Sequence, residues 1–264
     1  MARRQHFILC FDFDGTLIHS ESKPAFHPML GEMLSELKSQ GAAFVINTGR
    51  SLPQTLQGLT QHGILVMPDY IIAQECNIHC ATADGRWEEA REWNQEARKA
   101  HDRFVRDHQQ ALDDIRSMVD SQTKARMLEG GHGDMGIIAN SSAEMALICD
   151  HIDQQRRKHP QLGYHRNSIY LRFSHSHYNK GSALSELQRL MGLNASRCLA
   201  AGDNYNDLSM LHPSRATMLA APFNALPEIK QQVLSHGGFV ASGSASDGMI
   251  QALRHFFHQS PPKA

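Results

Sequence analysis

Residues 7–20 read FILCFDFDGTLIHS. The run from Phe7 to Phe11 is continuously apolar and short, as expected of a strand buried on both faces. It passes directly into two carboxylates, Asp12 and Asp14, and then into Gly15 and Thr16. In an open parallel sheet, ligands bind beyond the carboxyl ends of the strands. A buried strand that ends on two negative charges therefore raises the question of what else the chain delivers to that end.

The flanking pattern supplies the sheet. Between Pro24 and Ser39, Met29, Met33, Leu34 and Leu37 recur at helical spacing, and Gly41 stops the helix. AAFVIN is a second buried strand, closed by Thr48, Gly49 and Arg50. Ser51 is placed to cap a helix over residues 52–60, with Pro53 in its first turn. YIIAQE reads as a third strand. This β-α-β-α-β order argues for a parallel sheet covered by helices. The pattern then changes. NIHCATADGRWEE reads as a hairpin turning at Asp84-Gly85. A long polar helix is expected over about residues 94–119, with DMGIIAN as a strand and SSAEMALICDHIDQQRRK as a helix capped by Ser141 or Ser142. SIYLRFS alternates as a half-buried strand, and Gly130, Gly131 and Gly133 mark a loop. After residue 179 the first pattern resumes: helix KGSALSELQRLMG, strand RCLAAG, DNYNDLSML as a loop entering a helix, strand ATMLAA, helix NALPEIKQQVLS and a last helix SDGMIQALRHFF. The tail HQSPPKA is expected to fray. The architecture implied is α/β: a Rossmann-like parallel-sheet core from residues 1–82 and 175–264, interrupted by an α+β insert over 83–174.

Three strand ends then carry polar groups toward one crevice: Asp12 and Asp14 after the first, Thr48, Gly49 and Arg50 after the second, and Asp203, Asn206 and Asp207 after CLAAG. Lys180 opens the helix preceding that last strand and reaches the same place. Several carboxylates in one crevice raise each other's pKa, and a hard cation such as Mg2+, which takes oxygen ligands, resolves the repulsion. Cation and Lys180 together then favour a phosphate dianion. A carboxylate can attack phosphorus to form an aspartyl-phosphate. Asp12 is placed to do so, and Asp14 to protonate the leaving alkoxide and deprotonate the incoming water, which needs a pKa above the usual value of about 4. Thr48 and the backbone N–H groups near Gly49 are placed to hold the phosphoryl oxygens.

These residues resemble a known family. FDFDGTL looks like the first motif of the haloacid dehalogenase (HAD) superfamily, VINTGR its second, NKGSAL its third and GDNYNDLSML its fourth, all in the family's order and each after the expected element. The resemblance implies Asp12 as nucleophile and Mg2+ ligand, and Asp14 as acid/base with its carbonyl on the metal. It implies Thr48 and Lys180 on phosphate, Asp203 on the metal, and Asp207 in support. An insert between the second and third motifs, where 130 positions separate Arg50 from Lys180 and only 34 separate Asp14 from Thr48, resembles the type IIB capped branch with its Cof-like and sucrose-phosphatase-like enzymes. Residues 68–87 depart from the Asn-Gly-Ala of Cof-like members; Glu75, Asn77 and Trp87 are closer to the sucrose-phosphatase side. The reading is a cytoplasmic, Mg2+-dependent phosphomonoesterase acting on a small phosphorylated metabolite such as a sugar phosphate. A phosphomutase on the same core and a non-catalytic metabolite-binding protein are the alternatives.

Composition excludes other classes. Lys plus Arg is 26 against 27 for Asp plus Glu in 264 residues, a net charge of -1 that gives no basic footprint for nucleic acid and no pull toward an acidic membrane. No apolar run approaches the roughly 18 residues of a span. The run after Arg3-Arg4 is broken by Asp12 and is no signal peptide. Five cysteines without paired spacing read as free thiols of a reducing compartment. Seven positions stay open between two readings. Arg50 is a phosphate contact or a structural salt bridge. Asn206 and Asp207 cap a helix or support the site. His175 and His177 face substrate or solvent, and Trp93 lines the substrate mouth or only begins a cap helix. Asn224 is a turn former or a site residue.

Overall fold

The computed structural model describes residues 5–19, 23–129 and 135–257. The arginine pair at 3–4, the loop glycines at 130, 131 and 133, and the tail at 258–264 lie outside them. The elements run β1 (Phe7–Phe11), α1 (Pro28–Ser39), β2 (Ala42–Asn47), α2 (Leu52–Gln61), β3 (Tyr70–Ala73), β4 (Asn77–Ala81), β5 (Trp87–Glu89), α3 (Arg91–Asp107) and α4 (Gln109–Gln122). They continue with β6 (Arg126–Glu129), β7 (Met135–Ile138), α5 (Ser142–Arg156), β8 (Leu162–Asn167), β9 (Tyr170–His175), α6 (Lys180–Met191), β10 (Cys198–Ala201), β11 (Met218–Ala221), α7 (Pro227–Ser235), β12 (Phe239–Val240) and α8 (Ala245–Phe257).

The chain divides into two units, residues 1–93 with 180–264 and residues 94–179. The first is built on an eight-stranded sheet ordered β12-β11-β10-β1-β2-β3-β4-β5. Strands β12 through β3 are mutually parallel; β4 and β5 join antiparallel at one edge. The chain walks outward from β1 through β2 to β3, then returns to pair β10 on the other side of β1. The order therefore reverses at the tips of β1 and β10. Such a reversal opens a crevice between neighbouring loops.

Alternation assigns the faces. Leu9, Phe11, Phe44 and Ile46 pack with Leu30, Leu34, Leu59, Met249 and Leu253 of α1, α2 and α8. Ile8, Cys10, Ala43 and Val45 pack with Ala183, Leu184, Leu187, Ile229 and Val233 of α6 and α7. Both faces of β1 and β2 are buried, which is why their sequences read as unbroken apolar runs. The second unit has its own antiparallel sheet, β6-β7-β9-β8, and its own core, in which Ile115, Ile137, Met145, Ile152 and Phe173 are buried together.

Several expectations are corrected. The units divide at 93/94 and 179/180, where 82/83 and 174/175 were expected: the hairpin β4–β5 pairs with β3 and so belongs to the first unit, and His175 still pairs with Leu162 in the sheet of the second. The polar helix over 94–119 is two helices broken at His108, whose backbone leaves helical geometry (φ -116, ψ 19). The loop after β10 enters a short 3-10 turn over Tyr205–Asp207 rather than an α-helix. Strands β6, β8 and β12 carry no periodic signal and were not expected. Ser51 caps α2 with a full capping box to Gln54, and Ser141 caps α5.

Candidate active site at the tips of β1, β2 and β10

Asp12 leaves β1 with its N–H bonded to the carbonyl of Ala201 on β10. The residue is 3% exposed. Lys180, the first residue of α6 and fully buried, donates from Nζ to Asp12 Oδ1 at 2.6 Å and to Asp207 Oδ1 at 2.7 Å. The amide of Asn47, the polar end of β2, donates to the Lys180 carbonyl and fixes the start of α6. Gly181 lets α6 come this close: an added Cβ would stand 2.0 Å from the Ser209 carbonyl oxygen.

The loop after β10 is held by Asp207. Its Oδ2 accepts the N–H groups of Asp203 and Asn204, so both its oxygens are engaged. Asp203 Oδ1 accepts the Thr16 hydroxyl at 2.7 Å. Gly15, at φ +84, makes the turn between β1 and Thr16, and an added Cβ there would meet Asp203 Oδ2 at 2.3 Å. Asn224 ties this turn down, donating to the Gly15 carbonyl and accepting from the N–H of Ala245.

Oxygens of Asp12, Asp203 and Asp207 lie within 4.8 Å of one another. Burial and repulsion from Asp207 and Asp14 push Asp203 up to about 7, against the pull of Thr16 and Lys180. Burial also raises Asp12, Lys180 draws it down, and Asp207 and Asp203 raise it further. Burial opposes the Lys180 charge, but Asp12, Asp207 and Glu75 outweigh it and keep the ammonium well above the usual lysine range. These directions agree: buried carboxylates outnumber the one buried ammonium, so the lysine stays charged and the surplus negative charge goes unmatched. This acidic surplus, all oxygen donors, fits a hard divalent cation. Asp12 and Asp203 have an oxygen to spare for it. Asp207, expected as support, serves by orienting Lys180 and the 203–204 backbone.

Asp14 and Arg50 differ from the expected placement. Arg50 donates from Nε and Nη2 to the two oxygens of Asp14 at 2.7 and 2.6 Å, and its guanidinium lies over the Phe13 ring at 4.9 Å. Both oxygens of the expected acid/base are thus engaged, and Arg50, left open between a phosphate contact and a structural salt bridge, makes a salt bridge to that carboxylate. Thr48 is buried, with its N–H on Ile72 and its hydroxyl accepting the Arg50 N–H. Gly49 follows with its Cα beside Glu75: an added Cβ would be 3.0 Å from Glu75 Oε1. Asn206 donates from Nδ2 to that same Oε1 at 2.9 Å. Asp207 closes the capping box of the 3-10 segment with Asn204 and also holds Lys180, so for it the two readings coincide; Asn206 lies within the segment, caps nothing, and turns its amide to Glu75.

Thr16, Asn47 and Glu75 were missed as site residues. Asn47 was detectable as the one polar residue in AAFVIN, and Thr16 as the hydroxyl after Asp-Gly. Glu75 stood out only as a point of resemblance to sucrose-phosphatase-like enzymes, with no role attached. Trp93 packs in the first unit and donates its indole N–H to the Cys76 carbonyl. His175 and His177 lie in the second unit, ring edges on Tyr178. The five cysteines are free thiols, with Cys10 pushed up to about 12 by burial. No helix among the described residues is long and apolar enough to cross a membrane.

Three comparisons bear on this geometry. A family model described as haloacid dehalogenase-like hydrolase matches residues 9–77 and 68–253. A phosphoglycolate phosphatase of Methanoculleus marisnigri is 32% identical over 79 residues, a match taking in 30% of this chain and 31% of that protein, so the shared stretch spans under a third of the curated relative. Among solved structures, the sucrose-phosphatase of Synechocystis sp. PCC6803, determined with sucrose and phosphate, superimposes with a TM-score of 0.74 at 18% identity, covering 96% of this chain and 98% of that one. A HAD subclass IIB sugar phosphatase superimposes with a TM-score of 0.62 at 18% identity, covering 95% and 98%. At such identities the likeness is one of fold. The family model, spanning the β1 carboxylates, the β2 threonine, the α6 lysine and the β10 loop together, places the chain in the haloacid dehalogenase-like hydrolase family.

Proposed function

We propose that the protein is a Mg2+-dependent phosphomonoesterase that hydrolyses a small phosphorylated metabolite, a sugar or polyol phosphate, through an aspartyl-phosphate on Asp12. The observation that carries this reading is the buried array in which Lys180 bridges Asp12 and Asp207 at 2.6 and 2.7 Å with Asp203 alongside. The sugar-phosphatase folds support a sugar phosphate, and the phosphoglycolate phosphatase match supports a small phosphorylated metabolite more broadly.

Asp12, Asp203 and the Asp14 carbonyl would hold the cation, which when bound offsets the carboxylate surplus and the charge of the phosphate. The chain's own residues do the rest. An Asp12 carboxylate oxygen attacks phosphorus, and the ester oxygen departs with its bonding pair. Asp14 supplies the proton to that oxygen, which requires it to leave Arg50. Water then attacks phosphorus, Asp14 takes its proton, and the P–O bond to Asp12 breaks to return the carboxylate and release inorganic phosphate. Lys180, Thr48 and the backbone near Gly49 hold the phosphoryl oxygens, where the charge of the transferring group resides. Residues 94–179 are assigned the choice of metabolite. Free thiols fit a reducing, cytoplasmic setting.

The test is phosphate release from p-nitrophenyl phosphate and from a panel of phosphorylated sugars, polyols and small acids, with Mg2+ and with chelator. Release that needs the cation and is fastest on a sugar or polyol phosphate is expected. No release under either condition overturns the reading, and conversion of a sugar phosphate to its isomer without free phosphate replaces it with a mutase.

A further inference from the structure

Beyond β3 the chain makes a turn that the proposed reaction does not require. Gln74 and Glu75 have φ of +49 and +71. Two successive residues with side chains in the left-handed region are unfavourable, and such strain persists only where surrounding bonds enforce it. Here they do: the N–H of Gln74 bonds to the Arg50 carbonyl and the N–H of Glu75 to the Thr48 carbonyl. The turn is clamped to the loop assigned to the phosphoryl oxygens, and it folds the Glu75 carboxylate over Gly49, 5% exposed.

That carboxylate decides how Asn206 is presented. A carboxylate only accepts hydrogen bonds, so the group of Asn206 facing Glu75 Oε1 at 2.9 Å is its NH2. The other end of the amide, Oδ1, is buried without a hydrogen-bond partner, on a residue only 6% exposed. Glu75 thus occupies a donor from which a phosphate oxygen could otherwise accept, and leaves the amide oxygen buried and unpaired. It also adds a fifth carboxylate to Asp12, Asp14, Asp203 and Asp207, against the two cations Lys180 and Arg50. Its field reaches Lys180, on which it acts together with Asp12 and Asp207.

We propose that Glu75 is a positioning residue that weakens the hold of this site on phosphate, by keeping the Asn206 NH2 on its own carboxylate and by offsetting the charge of Lys180, so that the product anion leaves. The inference rests on the phosphatase reading. It assigns a cause to the strained turn: the strain buys a negative charge where substrate and product both carry one.

The experiment is calorimetric binding of inorganic phosphate, in Mg2+, to the full chain and to Glu75→Gln, Glu75→Gly and Glu75→Asp, alongside steady-state kinetics. Glycine suits the left-handed backbone at this position, so Glu75→Gly remains folded even where glutamine disturbs the turn; thermal melts check both. The expected result is phosphate bound at least about fivefold more tightly by Glu75→Gln and Glu75→Gly, since removing a buried like charge favours the anion. KM and kcat should fall together in both, with Glu75→Asp within about twofold of the parent because its charge remains. A purely structural role would loosen phosphate binding or leave it unchanged in Glu75→Gln and Glu75→Gly, and that outcome overturns the proposal. Binding does not depend on turnover: a parent protein that binds phosphate but hydrolyses nothing sinks the phosphatase reading alone, whereas phosphate bound by none of the four sinks the assignment of this loop to phosphate.

Discussion

Lys180 is the residue on which the site depends for charge. It is fully buried between Asp12 and Asp207, and removing one partner of a buried ion pair leaves the other uncompensated, at about 3–5 kcal/mol. Lys180→Met is expected to lose stability on that scale in urea unfolding at neutral pH; a loss under 1 kcal/mol, on the order of an exposed pair, would show that the carboxylates are not charged as described. Asp203 gives a pH signature. Its folded value of about 7 lies above an unfolded value of about 4. The native state therefore keeps a proton that the unfolded chain has released, and this contribution to stability falls as pH rises from about 4 to about 7. Without divalent cation, the melting temperature of the parent should decline relative to Asp203→Asn across that window. With Mg2+ the trend should reverse, because the cation needs the ionised carboxylate. A parent-minus-variant difference flat with pH in chelator would contradict the assigned environment. At this scale the sequence showed the carboxylates, Thr48 and Lys180 plainly, since strand tips and a helix start place them. It left the partners of Asp14, Arg50 and Glu75 unread, because those are set by side-chain directions in turns, which no spacing encodes.

At the scale of elements, the strands buried on both faces were the most legible. FILCF, AAFVIN and CLAA are short apolar runs, too short for a helix and each followed by polar or turn residues. Helices α1, α2, α5 and α6 followed from apolar spacing and caps. The Ser51–Gln54 capping box on α2 follows directly after Arg50. Ser51→Ala should cost about 1 kcal/mol in denaturant unfolding, and no loss of stability would show the cap to be redundant. The illegible elements each have their own physical cause. The two-residue β12 is too short for alternation to register. The break at His108 lies in the polar run of residues 106–110, which has no Gly or Pro, where the ring Nδ1 of His108 meets the Phe104 carbonyl. The β10 loop looked helical in LSML, but Asp207 spends both carboxylate oxygens on Lys180 and the 203–204 backbone and keeps the segment a 3-10 turn.

At the scale of the whole molecule, two units carry separate sheets and separate buried clusters. The insertion was legible as a change of pattern, from parallel β-α repeats to alternating strands and polar helices. Its edges were not, because the β4–β5 hairpin reads as the start of something new while its hydrogen bonds attach it to β3. Trp93 and Ala183 share one buried cluster of the first unit, so both ends of the insertion lie on the same body. Replacing residues 94–179 with a short Gly/Ser linker is expected to leave Mg2+-dependent release of p-nitrophenol while flattening the ratios of kcat/KM across a metabolite panel. Unchanged ratios would remove the second unit from specificity.

The central claim is that Asp12 carries the phosphoryl group. It is tested most directly by acid-quenching the protein during turnover of a 32P-labelled phosphomonoester in Mg2+ and mapping the labelled peptide by mass spectrometry. The account predicts phosphate on the side chain of Asp12 and none on Asp12→Asn. Steady phosphate release with no label on residue 12, or with the label on another side chain, would contradict it.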